Sequence, residues 1–313
     1  MVRIVFMGTP DFAVATLRAL AQAHTIAGVV TQPDRPSGRG RVPQASAVKQ
    51  FALGAGLPVI QPQRLREPQA LAQLQAWTPE LIVVAAFGQI LRPAVLDLPP
   101  HGCLNVHASL LPRHRGAAPI TAAILAGDAE TGITIMRMDP GLDTGPILAQ
   151  SSMPVHPDDT TESLSQRLAP LGASLLLQVI PDYLAGQLQP VPQDNALVTY
   201  APQLKKEDGR LDFTRPAVDL ERRVRALTPW PGAFAPWPDP AGGPPRALKI
   251  LRAAVLDQRL GEAGQVVATP LGPAVGCDAG ALLLLEVQAP GKRPIPAADF
   301  ALGARNFIGS RLL

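Results

Sequence analysis

Cysteine is almost absent from these 313 residues: Cys103 and Cys277 lie far apart with no second pair near either. That spacing supports neither a disulfide framework nor a zinc site, and both thiols are expected to be small buried residues. Long apolar runs are missing too. The strongest, Leu81 to Phe87 and Ala281 to Leu285, fall far short of the roughly 18 residues that cross a bilayer, so no transmembrane span is expected. Met1 to Met7 is apolar but leads into Gly8-Thr9-Pro10-Asp11, without the small-residue cleavage pattern of a secretory signal, so a cytoplasmic location is expected. Nothing resembles a coiled-coil heptad, which favours a monomer.

A glycine fingerprint is also lacking. The first candidate strand-to-helix turn, Gly8-Thr9-Pro10-Asp11-Phe12-Ala13, holds one glycine, where a dinucleotide site needs three for tightness, close pyrophosphate approach and helix packing. No P-loop occurs either. These absences weigh against a nicotinamide-dependent dehydrogenase or a nucleotidase.

What is present is a mainly aliphatic globular chain, 47% apolar and 17% charged. Its 35 prolines are scattered without period and read as stiffened loops. Lys and Arg balance Asp and Glu through Lys205, so the surplus of +3 lies entirely beyond it. A mildly basic C-terminal part suits either a solvated surface or a phosphate backbone.

Strand and helix patterns alternate through the first 180 residues, as in a parallel sheet with crossover helices. Strands are expected at Arg3 to Met7, Thr25 to Thr31, near Val59, at Leu81 to Ala86, Cys103 to Val106 and Thr131 to Met138. Helices are expected at Phe12 to Ala23 with Asp11 as cap, Ser46 to Leu53, Pro68 to Trp77, Ala118 to Ala126 and Thr160 to Leu184. The segment Pro190 to Lys206 has three prolines and no apolar period, the pattern of a linker. Beyond it, short strands near Leu248 to Val255, Gly264 to Val267 and Ala281 to Val287 are spaced as in a small barrel or sandwich.

Chemistry concentrates in Asn105-Val106-His107-Ala108-Ser109-Leu110-Leu111-Pro112. Side chains two apart on a strand share a face, so Asn105 and His107 point together from a strand end, where open α/β sheets place their sites. An amide and an imidazole there can polarise a carbonyl and hold the charge that develops on its oxygen. Asp143, in Asp139-Pro140-Gly141-Leu142-Asp143-Thr144-Gly145, follows the next strand and can take a proton or orient the imidazole. Taken alone, such a pair is more often structural than catalytic, and an Asp among glycines usually just makes a turn; their joint placement at strand ends of one sheet brings the two readings nearer to level.

Asn105, His107 and Asp143, with Ser109 to Pro112, resemble the catalytic trio and folate-contacting signature of the formyltransferase family that uses 10-formyltetrahydrofolate. The likeness extends over Phe6 to Ala13, Thr31 to Arg41, Ser109 to Pro119, Gly127 to Thr131, Gly141 to Pro146, Thr199 to Asp208, Pro229 to Gly232 and Gln288 to Lys292, nearly the whole chain. It implies an α/β Rossmann-like catalytic domain over 1–189, a linker over 190–206 and an OB-like β-barrel over 207–313 that binds tRNA. It implies formyl transfer to the methionine of initiator tRNA, with 10-formyltetrahydrofolate as cosubstrate, no tightly bound cofactor and no metal. By the same likeness Ser109, Leu110, Leu111, Pro112, Phe87, Gly88 and Ile90 line the folate. The loop Gln32 to Arg41, with Arg35, Arg39 and Arg41, reaches the tRNA acceptor end, Arg39 foremost, since a guanidinium pairs with phosphate or stacks on an unpaired base. One departure is His114, where close relatives carry Trp or Tyr.

Two rivals stay open at this level. A formyltransferase acting on a nucleotide sugar or glycinamide ribonucleotide would share the trio but usually lacks this C-terminal half. A nucleic-acid-binding protein with an inert sheet domain would leave the trio unexplained.

Overall fold

The structure, a computed structural model, describes residues 1–37, 42–238 and 243–313. Contacts divide the chain into two compact units: residues 1–120, 130–154 and 164–203, and residues 121–129, 155–163 and 204–313.

The first unit opens with β1 (Arg3–Gly8), α1 (Asp11–Ala23) and β2 (Thr25–Val30), then a short hairpin of β3 (Arg35–Ser37) and β4 (Val42–Gln44). It continues with α2 (Ala47–Gly54), β5 (Val59–Ile60), α3 (Pro68–Ala76), β6 (Leu81–Ala85), α4 (Pro93–Leu96), β7 (Cys103–His107) and β8 (Arg115–Gly116). Next come α5 (Pro119–Ala126), which from Thr121 onward belongs to the second unit, then β9 (Glu130–Arg137), β10 (Ile147–Pro154), α6 (Thr161–Leu184), whose first three residues also belong there, and β11 (Tyr200–Ala201). Seven strands form one sheet in the order β10-β9-β7-β6-β1-β2-β5, parallel except where β9 runs antiparallel to both neighbours.

Burial follows sequence directly. The runs IVFMG of β1 and LIVVA of β6 are buried at every position, as β-branched strands covered on both faces must be. β10 instead alternates because it is the sheet edge, with one face open to water. Ser46 caps α2 by accepting from Lys49 N–H at 3.1 Å. Asp11 does not cap α1 as expected: Pro10 holds the cap position and Asp11 lies in the first turn. A carboxylate there still favours the positive helix terminus.

The second unit contains α7 (Ala217–Ala226), β12 (Phe234–Trp237), β13 (Arg246–Leu256), β14 (Val266–Thr269), β15 (Gly272–Gly276), β16 (Ala281–Gln288), β17 (Ile295–Pro296) and α8 (Ala297–Gly303). Its strands make an antiparallel sheet, β12-β13-β16-β15-β14, with β17 also on β16. Register breaks around Arg252 in β13 add the twist that curls such a sheet toward a small barrel. Inside lie Leu220, Val224, Leu248, Ile250 and Val275. Trp237, Phe300 and Phe307 meet edge to face there, with centroids 4.9 to 5.8 Å apart.

Candidate active site

β7 is buried throughout, and its alternation turns Asn105 and His107 to one face. The two side chains are 8% and 5% exposed. A parallel neighbour would have delivered Asp143 at a strand's far end. β9 instead opposes His107 to Thr134 and Leu104 to Arg137, so it exits beside the start of β7. The segment 138–146 then doubles back, and Asp143 reaches the same two side chains: Asn105 Nδ2 is 3.5 Å from Oδ1 and His107 Nδ1 is 3.6 Å from Oδ2.

The return path is tightly specified. Gly116 N–H donates to Asp143 Oδ2 at 2.8 Å, and Gly116 has φ +121 with the Ala201 carbonyl 2.6 Å from where a Cβ would sit. A Cβ on Gly145 would lie 1.8 Å from the Arg137 carbonyl oxygen. Only glycine fits either place. Asp143 and His114 adopt left-handed backbone, φ 52 and 59, a conformation that Asp and His tolerate better than most residues but that surrounding contacts must still hold.

The environment fixes the imidazole tautomer. His107 Nε2 is 3.0 Å from the His114 carbonyl oxygen; a carbonyl only accepts, so Nε2 carries hydrogen and Nδ1 is the nitrogen that faces Asp143. Protonation at Nδ1 makes the pair an ion pair. At 3.5 and 3.6 Å both contacts to the carboxylate are longer than well-formed hydrogen bonds, leaving the Asn105 amide and His107 Nδ1 able to turn to another partner. His114 is buried, its N–H donating to Thr199 Oγ1 at 2.8 Å with its ring Nδ1 3.3 Å from the same oxygen.

The remaining sequence candidates divide. Ser109 and Leu111 are buried, and Ser109 Oγ donates to the Arg113 carbonyl at 2.6 Å. Thr134 Oγ1 donates to the Ser109 carbonyl and accepts from Leu111 N–H, so these two residues shape their own loop. Leu110 and Pro112 are partly exposed. Phe87 is buried, Gly88 and Ile90 exposed, and the Phe87 carbonyl accepts from Thr9 Oγ1 and Gln32 Nε2, each at 3.2 Å. That joins the loop after β6 to those after β1 and β2, beside the point where strand order reverses, the usual ligand position in such sheets. Arg35 is exposed on β3; Arg39 and Arg41 lie outside the described residues.

Sequence reading missed Gln193, Thr199 and Gln150. Gln150 Nε2 donates to the Leu111 carbonyl at 2.8 Å and to Thr134 Oγ1 at 2.9 Å. Gln193 sits in a proline-broken stretch without period, where no sequence pattern marks a tertiary contact. His114 occupies a known position in the motif, yet it is its backbone carbonyl that meets His107.

Residues 2–180 match the formyl transferase family and residues 203–305 its C-terminal domain. A methionyl-tRNA formyltransferase of Myxococcus xanthus strain DK1622 is 50% identical over 310 residues, covering 99% of this chain and 97% of its own. Another, from Methylococcus capsulatus strain ATCC 33009, is 50% identical over 312 residues and covers 99% of both chains. Among solved structures, WlaRD, a sugar 3N-formyl transferase determined in the presence of dTDP and 5-N-formyl-THF, superposes with TM-score 0.64 at 19% identity, covering 94% of this chain and 99% of its own. At that identity the likeness is one of fold. Two domain matches in order, with near-complete coverage at half identity, place the sequence: the chain belongs to the methionyl-tRNA formyltransferase family of formyl transferases.

Proposed function

We propose that this chain transfers the formyl group of 10-formyltetrahydrofolate to the free amine of methionine on initiator tRNA, giving N-formylmethionyl-tRNA for translation initiation. One observation carries the reading: an amide, an imidazole and a carboxylate from β7 and the loop after β9 converge to within 3.5 and 3.6 Å in a chain of this family.

Each group has a task its chemistry suits. Asn105 Nδ2 and His107 Nδ1, when protonated, donate to the formyl oxygen as negative charge gathers there, stabilising the transition state more than the ground state. Asp143 keeps His107 oriented and takes a proton from the attacking amine. The new C–N bond forms at the formyl carbon, the bond to the folate nitrogen breaks, and that nitrogen gains a proton, so the exchange is balanced. Ser109 to Pro112 with Phe87, Gly88 and Ile90 hold the folate; Arg39, aided by Arg35 and Arg41, takes the acceptor end.

The test is incubation with labelled 10-formyltetrahydrofolate and each of three acceptors: charged initiator tRNA, an amino-sugar nucleotide and glycinamide ribonucleotide. Label is expected in formyl-methionine alone. Transfer to either small acceptor with none to tRNA would overturn the assignment.

A further inference from the structure

Asp143 is gripped through its backbone as well as its carboxylate. Val191 and Ile147 exchange reciprocal backbone hydrogen bonds at 2.8 Å, fastening the segment after α6 to the start of β10. Two residues on, Gln193 Nε2 donates to the carbonyls of Asp143 at 2.8 Å and Gly145 at 2.7 Å. Its Oε1 accepts from Arg115 Nε at 2.9 Å and Nη2 at 2.7 Å. The same Nη2 reaches Asn195 Oδ1 at 3.2 Å, and Asn195 begins a short turn capped by Asp194, which accepts from Ala196 N–H at 2.9 Å.

The amide has one chemically sensible orientation. A guanidinium only donates, so it must face Oε1; the two carbonyls only accept, so they must face the NH₂ group. Both ends of the Gln193 amide are matched. Arg115 is 3% exposed, and a buried guanidinium held by forked hydrogen bonds is a fixed post. Arg115 also belongs to β8, the strand whose next residue, Gly116, donates to Asp143 Oδ2.

We propose that Gln193 is a positioning residue for the transfer reaction: it transmits the rigidity of Arg115 to the backbone on either side of Thr144 and so fixes the left-handed Asp143. The proposal rests on the catalytic reading of Asp143. It adds a residue that touches no substrate, from a segment that reads in sequence as linker.

The test uses the full-length chain with Gln193→Glu and Gln193→Met, each alone and combined with Asp143→Asn. Glutamate keeps an oxygen for Arg115 but opposes two carbonyls with a carboxylate, so the loop moves while the post stays. Methionine keeps the length and removes both functions. With melting temperatures confirming folding, kcat is expected to fall on the order of 100-fold, the usual cost of misplacing a catalytic group by about 1 Å, with the KM for folate little changed. In the Asp143→Asn background neither substitution should lower kcat further, because groups acting as one unit are not additive. Wild-type kcat in both single variants overturns the positioning role. So does an equal loss with and without Asp143. Wild-type kcat in Asp143→Asn alone instead overturns the catalytic reading beneath it. If either Gln193 variant fails to fold, the other decides.

Discussion

Asn105→Ala separates chemistry from folding at the centre of this site. Among the described residues the Asn105 side chain makes one polar contact, the 3.5 Å approach to Asp143, on a strand whose backbone ladder to β6 and β9 does not depend on the side chain. Removing so long a hydrogen bond costs at most about 1 kcal/mol, or a few degrees in melting temperature. Losing an oxyanion donor, by contrast, costs roughly 100- to 1,000-fold in turnover, about 3 to 4 kcal/mol of transition-state stabilisation. Single-turnover formylation of charged initiator tRNA should therefore slow by at least about 100-fold while the melting curve shifts little. The KM for folate should stay near wild type, because the donor acts on charge that exists only as the amine adds. A variant that melts normally and formylates within about threefold of wild type would refute the oxyanion assignment. One that loses activity in step with stability would refute the claim that the side chain is dispensable for folding.

Gly116→Ala should fold less stably by about 1 to 3 kcal/mol and lose turnover, since its Cβ meets the Ala201 carbonyl; unchanged kinetics would show that the Gly116 amide does not hold the carboxylate. Affinity for charged tRNA should fall steeply with salt and with Arg39→Ala while folate binding stays level, because phosphate contacts release counterions; tRNA kinetics indifferent to both would sink the arginine-loop role. Burial pushes the Cys103 thiol up to about 12 and the Cys277 thiol up to about 11, so both stay protonated at neutral pH and thiol reagents should label them only after unfolding. The sign is that of a raised pKa: the folded state holds these protons longer, so stability is undiminished below pH 9 and declines as pH rises through the thiols' folded values. Rapid labelling of native protein at pH 8 would contradict the burial.

Much of the first unit could be read in the sequence because continuous β-branched runs announce buried strands. β1, β2, β6, β7 and β9 all fall where their apolar stretches lie. β10 escaped notice because ILAQSSMP has an edge strand's polar alternation, which local sequence does not separate from a loop. In the second unit α7 has no counterpart among the expected elements, although AVDLERRVRA spaces Ala217, Leu220 and Val224 at helical intervals and buries them; its many charges and flanking prolines mask the apolar stripe. Asn105 and His107 were legible as neighbours since two-residue spacing fixes a shared face. Asp143 was legible only by residue type and likeness, because its approach depends on β9 running backwards, a property of pairing and not of any residue. Gln193 left no trace for the same reason: its partners are carbonyls, and a carbonyl belongs to every residue.

The short pairing of β8 with β11, Arg115 beside Tyr200 and Gly116 beside Ala201, has a consequence for how the enzyme is born. A nascent chain that has emerged only as far as α6 already contains all seven strands of its main sheet and the side chains of Asn105, His107 and Asp143. With the positioning role proposed for Gln193 it would nonetheless be incompetent, since the side chain that holds the Asp143 loop and the strand that pairs with β8 have yet to emerge. Translation would thus assemble the scaffold first and arm it last.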